Sequence, residues 1–289
     1  MPPSRPGKPT TSLDDRDPAF IRTVLPKLSA HYRSYHSTTT TGLGLLPDGA
    51  ALIVGSHNGG PLAPDMFALM AAYWERFGTD APAYGLMHDI IFRVPLAGKV
   101  MSRLGAVPAR PANAEALLSR GAKVLVYPGG DIDGLKSYAR RHEIIFGERT
   151  GFVRVALRTG APIVPVVSVG AHEIFRVLAD GAELARRSGF KRLTRIEVLP
   201  VVLSFPFGLS FGPAFLYFPI PVRMKLQVLE PISWPELGPR DADDPAIVRR
   251  CQQEVRETMQ SALDALVAAG EFGPRPLSEL LRFGRDETA

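Results

Sequence analysis

Apolar residues along this chain come in two kinds of run. Short, nearly continuous runs of β-branched and aliphatic residues at Ala51–Gly55, Pro82–Leu86, Lys123–Tyr127, Pro162–Val169 and Arg223–Leu229 predict strands. Longer stretches predict helices at Met66–Phe77, Asp89–Leu104, Ala112–Arg120, Gly151–Thr159 and His172–Arg187. Ahead of them, Pro18 to Tyr35 reads as a helix interrupted near Pro26, with Phe20, Ile21, Val24, Leu25 and Leu28 on one side. A last amphipathic helix runs from about Asp244 to Ala269. Strands alternating with helices predict an α/β fold with a largely parallel or mixed central sheet flanked by helices. Pro165, inside a strand, predicts an edge position or a bulge.

The 289 residues, 45% of them hydrophobic, are enough for one large domain, expected over 17–270. Residues 1–16 are rich in proline and charge and are expected to be a disordered arm, and 271–289 a tail. Met1–Pro9 contains no apolar stretch, so no secretory signal is expected and an intracellular location is. The one cysteine, Cys251, excludes a disulfide within the chain and a cysteine metal site, and reads as a packed thiol.

A net charge of +5, from 34 basic and 29 acidic residues, suits an anionic membrane surface or a phosphorylated substrate without selecting either. The basic residues are scattered and form no nucleic-acid reader motif, so no nucleic-acid partner is expected. From Val198 to Val222 no residue is charged, yet five prolines exclude a continuous spanning helix. That segment reads as a hydrophobic loop. Its phenylalanines either face lipid, with Arg192, Arg195 and Arg223 at headgroup level, or are buried in the core.

Candidate chemistry gathers where strands end. The run Ala51–Gly55 stops at Ser56-His57-Asn58-Gly59-Gly60-Pro61, and Asp65 follows just before the helix from Met66. His57 and Asp65 are either a base and its orienting carboxylate, or a loop residue and a helix cap. Gly105 leads to Arg110 ahead of the Ala112 helix, where Arg110 either holds a phosphate or carboxylate or makes a surface ion pair. The strand at Lys123–Tyr127 ends in Pro128-Gly129-Gly130, followed by Asp133, in a turn open to close approach by a ligand. Ala161-Pro162-Ile163-Val164-Pro165 opens the fourth cluster.

In this order the four clusters resemble the glycerolipid and lysophospholipid acyltransferase superfamily, over about Leu46 to Glu173. They are most similar to its mono- and diacylglycerol acyltransferase-like branch. The superfamily's first motif usually has four residues between its His and Asp; here seven separate His57 from Asp65, and the wider spacing with Gly59-Gly60 inside it resembles the neutral-lipid branch. The third motif usually reads Phe-Pro-Glu-Gly, whereas Tyr127-Pro128-Gly129-Gly130 lacks the glutamate, and Asp133 matches the acid that follows the glycine pair in that branch.

The resemblance implies a glycerol-3-phosphate acyltransferase-like fold. It also implies transfer of a fatty acyl group from a thioester, acyl-CoA or acyl carrier protein, to a lipid hydroxyl, on the cytoplasmic side of a membrane as a peripheral or monotopic protein. His57 is then the general base and Asp65 its orienter. Asn58, Gly59, Gly60, Arg110, Gly129, Gly130 and Asp133 are the substrate-binding candidates, the amides of Asn58-Gly59-Gly60 facing the oxyanion. No cofactor is expected, acyl-CoA being a substrate.

The chemistry fits these residues independently. A lipid hydroxyl needs a base near neutral pH, and histidine supplies one. With the substrate hydroxyl in the place of a serine, no nucleophile elbow is required, and no Gly-x-Ser-x-Gly occurs. Within the resemblance, the missing motif glutamate implies a neutral glycerolipid acceptor, while Arg110 argues for a lysophospholipid. His142-Glu143 lacks a second histidine at metal spacing, so no metal is expected. His172-Glu173 reads as a helix start or a contributor to the cleft. A lipid esterase, or a lipid-binding protein that has lost activity, are the alternatives.

Overall fold

The structure, a computed structural model, describes residues 12–60, 63–174, 176–179, 181, 200–204, 208–211, 219–276 and 279. Seven strands form the central sheet: β1 (Thr39–Thr41), β2 (Ala51–Gly55), β3 (Ala83–Met87), β4 (Ala106–Pro108), β5 (Lys123–Val126), β6 (Ile163–Val169) and β11 (Lys225–Val228). Their spatial order is β1-β11-β6-β2-β5-β3-β4. β6, β2, β5, β3 and β4 run parallel, and β11 returns antiparallel against β6. The continuous apolar runs follow from this. A parallel strand covered on both faces has no solvent side on which to place polar residues.

In β2, Ala51 and Ile53 face one core with α1 (Pro18–Ala30) and α2 (Pro64–Phe77), while Leu52 and Val54 face the other. The second core is closed by α4 (Pro111–Ser119), α6 (Gly151–Thr159) and α7 (Pro245–Ala269), the one-turn α5 (Gly130–Gly134) coming between α4 and α6 in the chain. α7 buries Val248, Cys251, Val255, Met259 and Leu263, one stripe at helical spacing, so Cys251 is the packed thiol its pattern predicts. Asp244 caps that helix, accepting from the Ala246 amide at 2.7 Å. Burial of each such aliphatic side chain contributes about 1.5–3 kcal/mol.

Several local expectations are corrected. Pro165 lies in an interior strand, flanked by β2 and β11. Its carbonyl accepts from Leu229, so its missing N–H falls on the β11 side, where the paired ladder has already ended at Val166 and Val228. Helix α1 passes through Pro26, and the turn His31–Tyr35 that follows is a π-helix. The helix expected over Asp89–Leu104 is broken by Pro95 into a short 3-10 turn, Ile91–Arg93, and α3 (Pro95–Arg103).

His172 begins no long helix. A 3-10 turn, Ala171–Glu173, leads into β7 (Arg176–Ala179), which pairs antiparallel with β8 (Val201–Ser204), and β8 with β9 (Gly208–Phe211). The expected hydrophobic loop is thus partly a hairpin; 205–207 and 212–218, with Phe205, Phe215 and Phe218, lie outside the described residues.

Part of the expected N-terminal arm is packed on the domain. Arg16 donates to the carbonyls of Thr79, Ala81 and Ala83, while residues 1–11 lie outside the described residues. Beyond α7, β12 (Gly273–Pro274) pairs with β10 (Val222–Arg223), and buried Arg275 donates to the Tyr35 carbonyl. No helix among the described residues is long and apolar enough to cross a membrane.

Candidate active site

The carboxyl ends of the parallel strands gather the candidate residues on one edge of the sheet, where open α/β sheets keep their ligands. β2 ends at Gly55, where a side chain would run into the ring of Tyr127 at the end of β5. Ser56 is buried and His57 emerges partly exposed. Its ring lies 5.2 Å from the Tyr127 ring, centroid to centroid, and over Gly134, where a Cβ would come within 3.2 Å of it. Gly59 turns the chain with φ +83, and Ala63 holds a left-handed φ of +42 just before α2, a strained conformation for a residue with a side chain.

Two carboxylates fix this turn from opposite sides. Asp65 is not the helix cap: α2 starts one residue earlier at Pro64, and Asp65 is carried inward from its first turn, 1% exposed. Its Oδ2 accepts from the Asn58 amide at 3.1 Å and from the Ser168 hydroxyl at 3.3 Å. Asn58 in turn donates its side-chain amide to Ser168 Oγ at 2.6 Å. This triangle ties the end of β2, the start of α2 and the end of β6 together.

On the other side, Asp133 accepts from the His57 amide at 2.5 Å through Oδ2 and from Lys136 Nζ at 2.7 Å through Oδ1. Asp133 and Lys136 form an ion pair with side chains at most 1% exposed, and Lys136 also donates to the Glu143 carbonyl at 2.7 Å.

His57 and Asp65 are brought to the same turn, but no hydrogen bond joins them. Among the described residues, Nδ1 of His57 and Oδ1 of Asp65 are both buried without a partner. Burial lowers the His57 pKa to about 4, opposed by the nearby Asp133 carboxylate, so the imidazole is neutral at physiological pH. Burial raises the Asp65 pKa to about 7, against the hydrogen bonds of the Met66 and Asn58 amides.

The remaining candidates fall differently. Asp133 is wholly enclosed, so it holds the His57 backbone instead of touching substrate. Gly129 and Gly130 are not an open turn: side chains there would collide with Asp133 and with Arg149, which donates to the Gly129 carbonyl at 2.7 Å. The Asn58 amide is committed to Asp65, which removes it from the expected oxyanion set.

Arg110 precedes α4, half exposed and 3.5 Å from Asp89. It lines a groove of about 180 Å³ with Arg149 and Phe152, on the α4 and α6 side of the sheet.

Two contributors escaped the sequence, and a third was left between two readings. Ser168 is a hydroxyl in an otherwise apolar strand, and Lys136 follows Asp133 by three residues; both were visible signals. His172, the third, is buried with Nε2 unpartnered among the described residues, and is kept neutral by burial and by the charge of Lys136 nearby. Nothing in its local pattern separates it from a helix start.

The fold is that of an α/β enzyme with His57 at the carboxyl edge of its sheet, and the family comparison makes it an acyltransferase. A model of the diacylglycerol acyltransferase family matches residues 26–243, and the chain belongs to that family. An uncharacterized protein of Mycobacterium tuberculosis is 32% identical over 254 residues, covering 87% of this chain and 68% of its own length. Diacylglycerol O-acyltransferase 2B of Umbelopsis ramanniana is 27% identical over 245 residues, 81% of this chain and 68% of that protein. The fold is similar to the crystal structure of the 1-acyl-sn-glycerophosphate acyltransferase of Thermotoga maritima, with a TM-score of 0.50 at 15% identity over 85% of this chain and 81% of that one.

Proposed function

We propose that this protein transfers a fatty acyl group from an acyl thioester, acyl-CoA in preference to acyl carrier protein, to the hydroxyl of a neutral glycerolipid at a membrane surface, with His57 as general base. The observation that carries the reading is the pair of unpartnered atoms, Nδ1 of His57 and Oδ1 of Asp65. A buried polar atom without a partner costs about 1–3 kcal/mol. Here the two are a donor and an acceptor on residues already held near one another, because the amide of Asn58, next to His57, donates to the Asp65 carboxylate. Contacts of this kind tighten when substrate enters.

In the reaction, Nε2 of His57 takes the proton of the acceptor hydroxyl as its oxygen attacks the thioester carbonyl carbon. Asp65, accepting from Nδ1–H, stabilises the imidazolium. Collapse of the tetrahedral intermediate breaks the carbon–sulfur bond, and the imidazolium returns its proton to the leaving thiolate. The products are an ester and a free thiol, and no enzyme nucleophile is consumed.

A neutral acceptor is favoured over a lysophospholipid because Arg110 is paired with Asp89 and opens onto the α4 and α6 groove. The name of the Umbelopsis relative, a diacylglycerol O-acyltransferase, supports the same choice. Incubation with labelled long-chain acyl-CoA and monoacylglycerol, diacylglycerol or lysophospholipid tests it. Labelled neutral glyceride is expected; release of free fatty acid alone would make the protein an esterase, and neither product would leave a lipid-binding protein.

A further inference from the structure

Large apolar side chains left exposed are not scattered over this molecule. Of the eight exposed among the described residues, six lie on two segments that leave the carboxyl edge of the sheet. Ile90, Val94 and Leu96 follow β3, with Leu96 77% exposed, and Leu178, Leu203 and Leu209 belong to the three-stranded sheet that follows β6. Leu203 and Leu209 are directly paired across β8 and β9, so both point outward, while Val177 and Val202 of the same sheet fill the core.

The strand order sets these patches on either side of His57: β6 neighbours β2, and β3 is one strand further on the other side. At ordinary strand spacing the ends of β6 and β3 are about 14 Å apart. Basic side chains interleave with the first patch. Arg93 and Lys99 are exposed there, while the acidic Asp89 is paired with Arg110. Exposed lysine among aliphatic side chains suits a lipid interface and is depleted at protein interfaces.

We propose that this edge is the face by which the protein lies on an anionic lipid surface. Ile90, Val94 and Leu96 enter the interface on one side of His57 and Leu178, Leu203 and Leu209 on the other, with Arg93 and Lys99 among the headgroups. The base then opens toward the phase that holds a lipid acceptor, which deepens the acyl-transfer reading and rests on it.

The test is sedimentation of the full chain with phosphatidylcholine vesicles, with and without phosphatidylglycerol. Leu96→Asp and Leu209→Asp are each expected to lower the partition coefficient about ten- to a hundredfold. Phe77→Asp, at the far end of α2, is expected to leave it unchanged. Arg93→Gln and Lys99→Gln should weaken binding only where phosphatidylglycerol is present, about fivefold per charge.

Vesicle binding by Leu96→Asp and Leu209→Asp at the wild-type level overturns the proposal, as does equal loss in Phe77→Asp. Failure of the wild type to bind vesicles, or vesicle-free self-association that these variants abolish, overturns it too. Since binding is read without catalysis, the expected pattern with no acyl transfer to any acceptor would sustain the face and sink the enzymatic reading. Transfer with unaltered binding would do the reverse.

Discussion

Replacing Asp65 with asparagine separates what this carboxylate costs the fold from what it does for catalysis. The side chain is 1% exposed, and burial raises its pKa from 3.8 to about 7. Between those values the folded protein holds a proton that the unfolded chain has released, so wild-type stability falls as pH rises through this window. The shift of about three units, at 1.36 kcal/mol each, makes the penalty about 4 kcal/mol above pH 7.

Asparagine keeps an oxygen for the Asn58 amide and the Ser168 hydroxyl and never ionises. Its extra N–H, unless it finds an acceptor, adds a cost of about 1–3 kcal/mol that does not change with pH. The slope, not the offset, is therefore the readout. In urea unfolding at several pH values, the stability of Asp65→Asn minus that of the wild type is expected to grow by about 4 kcal/mol from about pH 4 to about pH 8. Acyl transfer by the same variant should fall about 100- to 10,000-fold. A stability difference that does not grow with pH would refute the reasoning.

Other perturbations test the frame around His57. Lys136→Met strands the Asp133 carboxylate in the interior and should destabilise by about 3–5 kcal/mol, seen in the urea midpoint, with partial recovery in the double variant Asp133→Asn/Lys136→Met. Gly134→Ala places a Cβ against the His57 ring and should lower kcat about tenfold with no loss of folding stability, comparing kinetics with thermal melts. Ser168→Ala removes the shared partner of Asn58 and Asp65; about 1–2 kcal/mol of stability and a fall in kcat larger than any change in KM are expected. In a wild-type pH profile, kcat/KM should decline as pH falls through about 7, because protonated Asp65 no longer accepts as a carboxylate, and Asp65→Asn should lack that limb.

Much of the sheet was legible because its central strands are buried on both faces and read as unbroken apolar runs: β2 and β6 stand within a residue of their expected bounds. The three-stranded sheet was not, since short strands in a proline-rich apolar stretch carry no period. The Asp65 cap also failed for a local reason. Pro64 takes the first helical position, which puts the carboxylate inside the first turn and turns it toward the β2 end. His57 and Asp65 were singled out by their place after a strand, whereas the bond from the His57 amide to Asp133 is a tertiary fact, created when the turn after β5 folds beneath that amide.

The central claim is that the His57 imidazole is the base of acyl transfer, and single-turnover ester formation from labelled acyl-CoA and diacylglycerol in vesicles tests it most directly. His57→Ala is expected to bind the same vesicles and keep its fold while ester formation drops at least about a hundredfold. Ester formation at the wild-type rate in that variant would contradict the account.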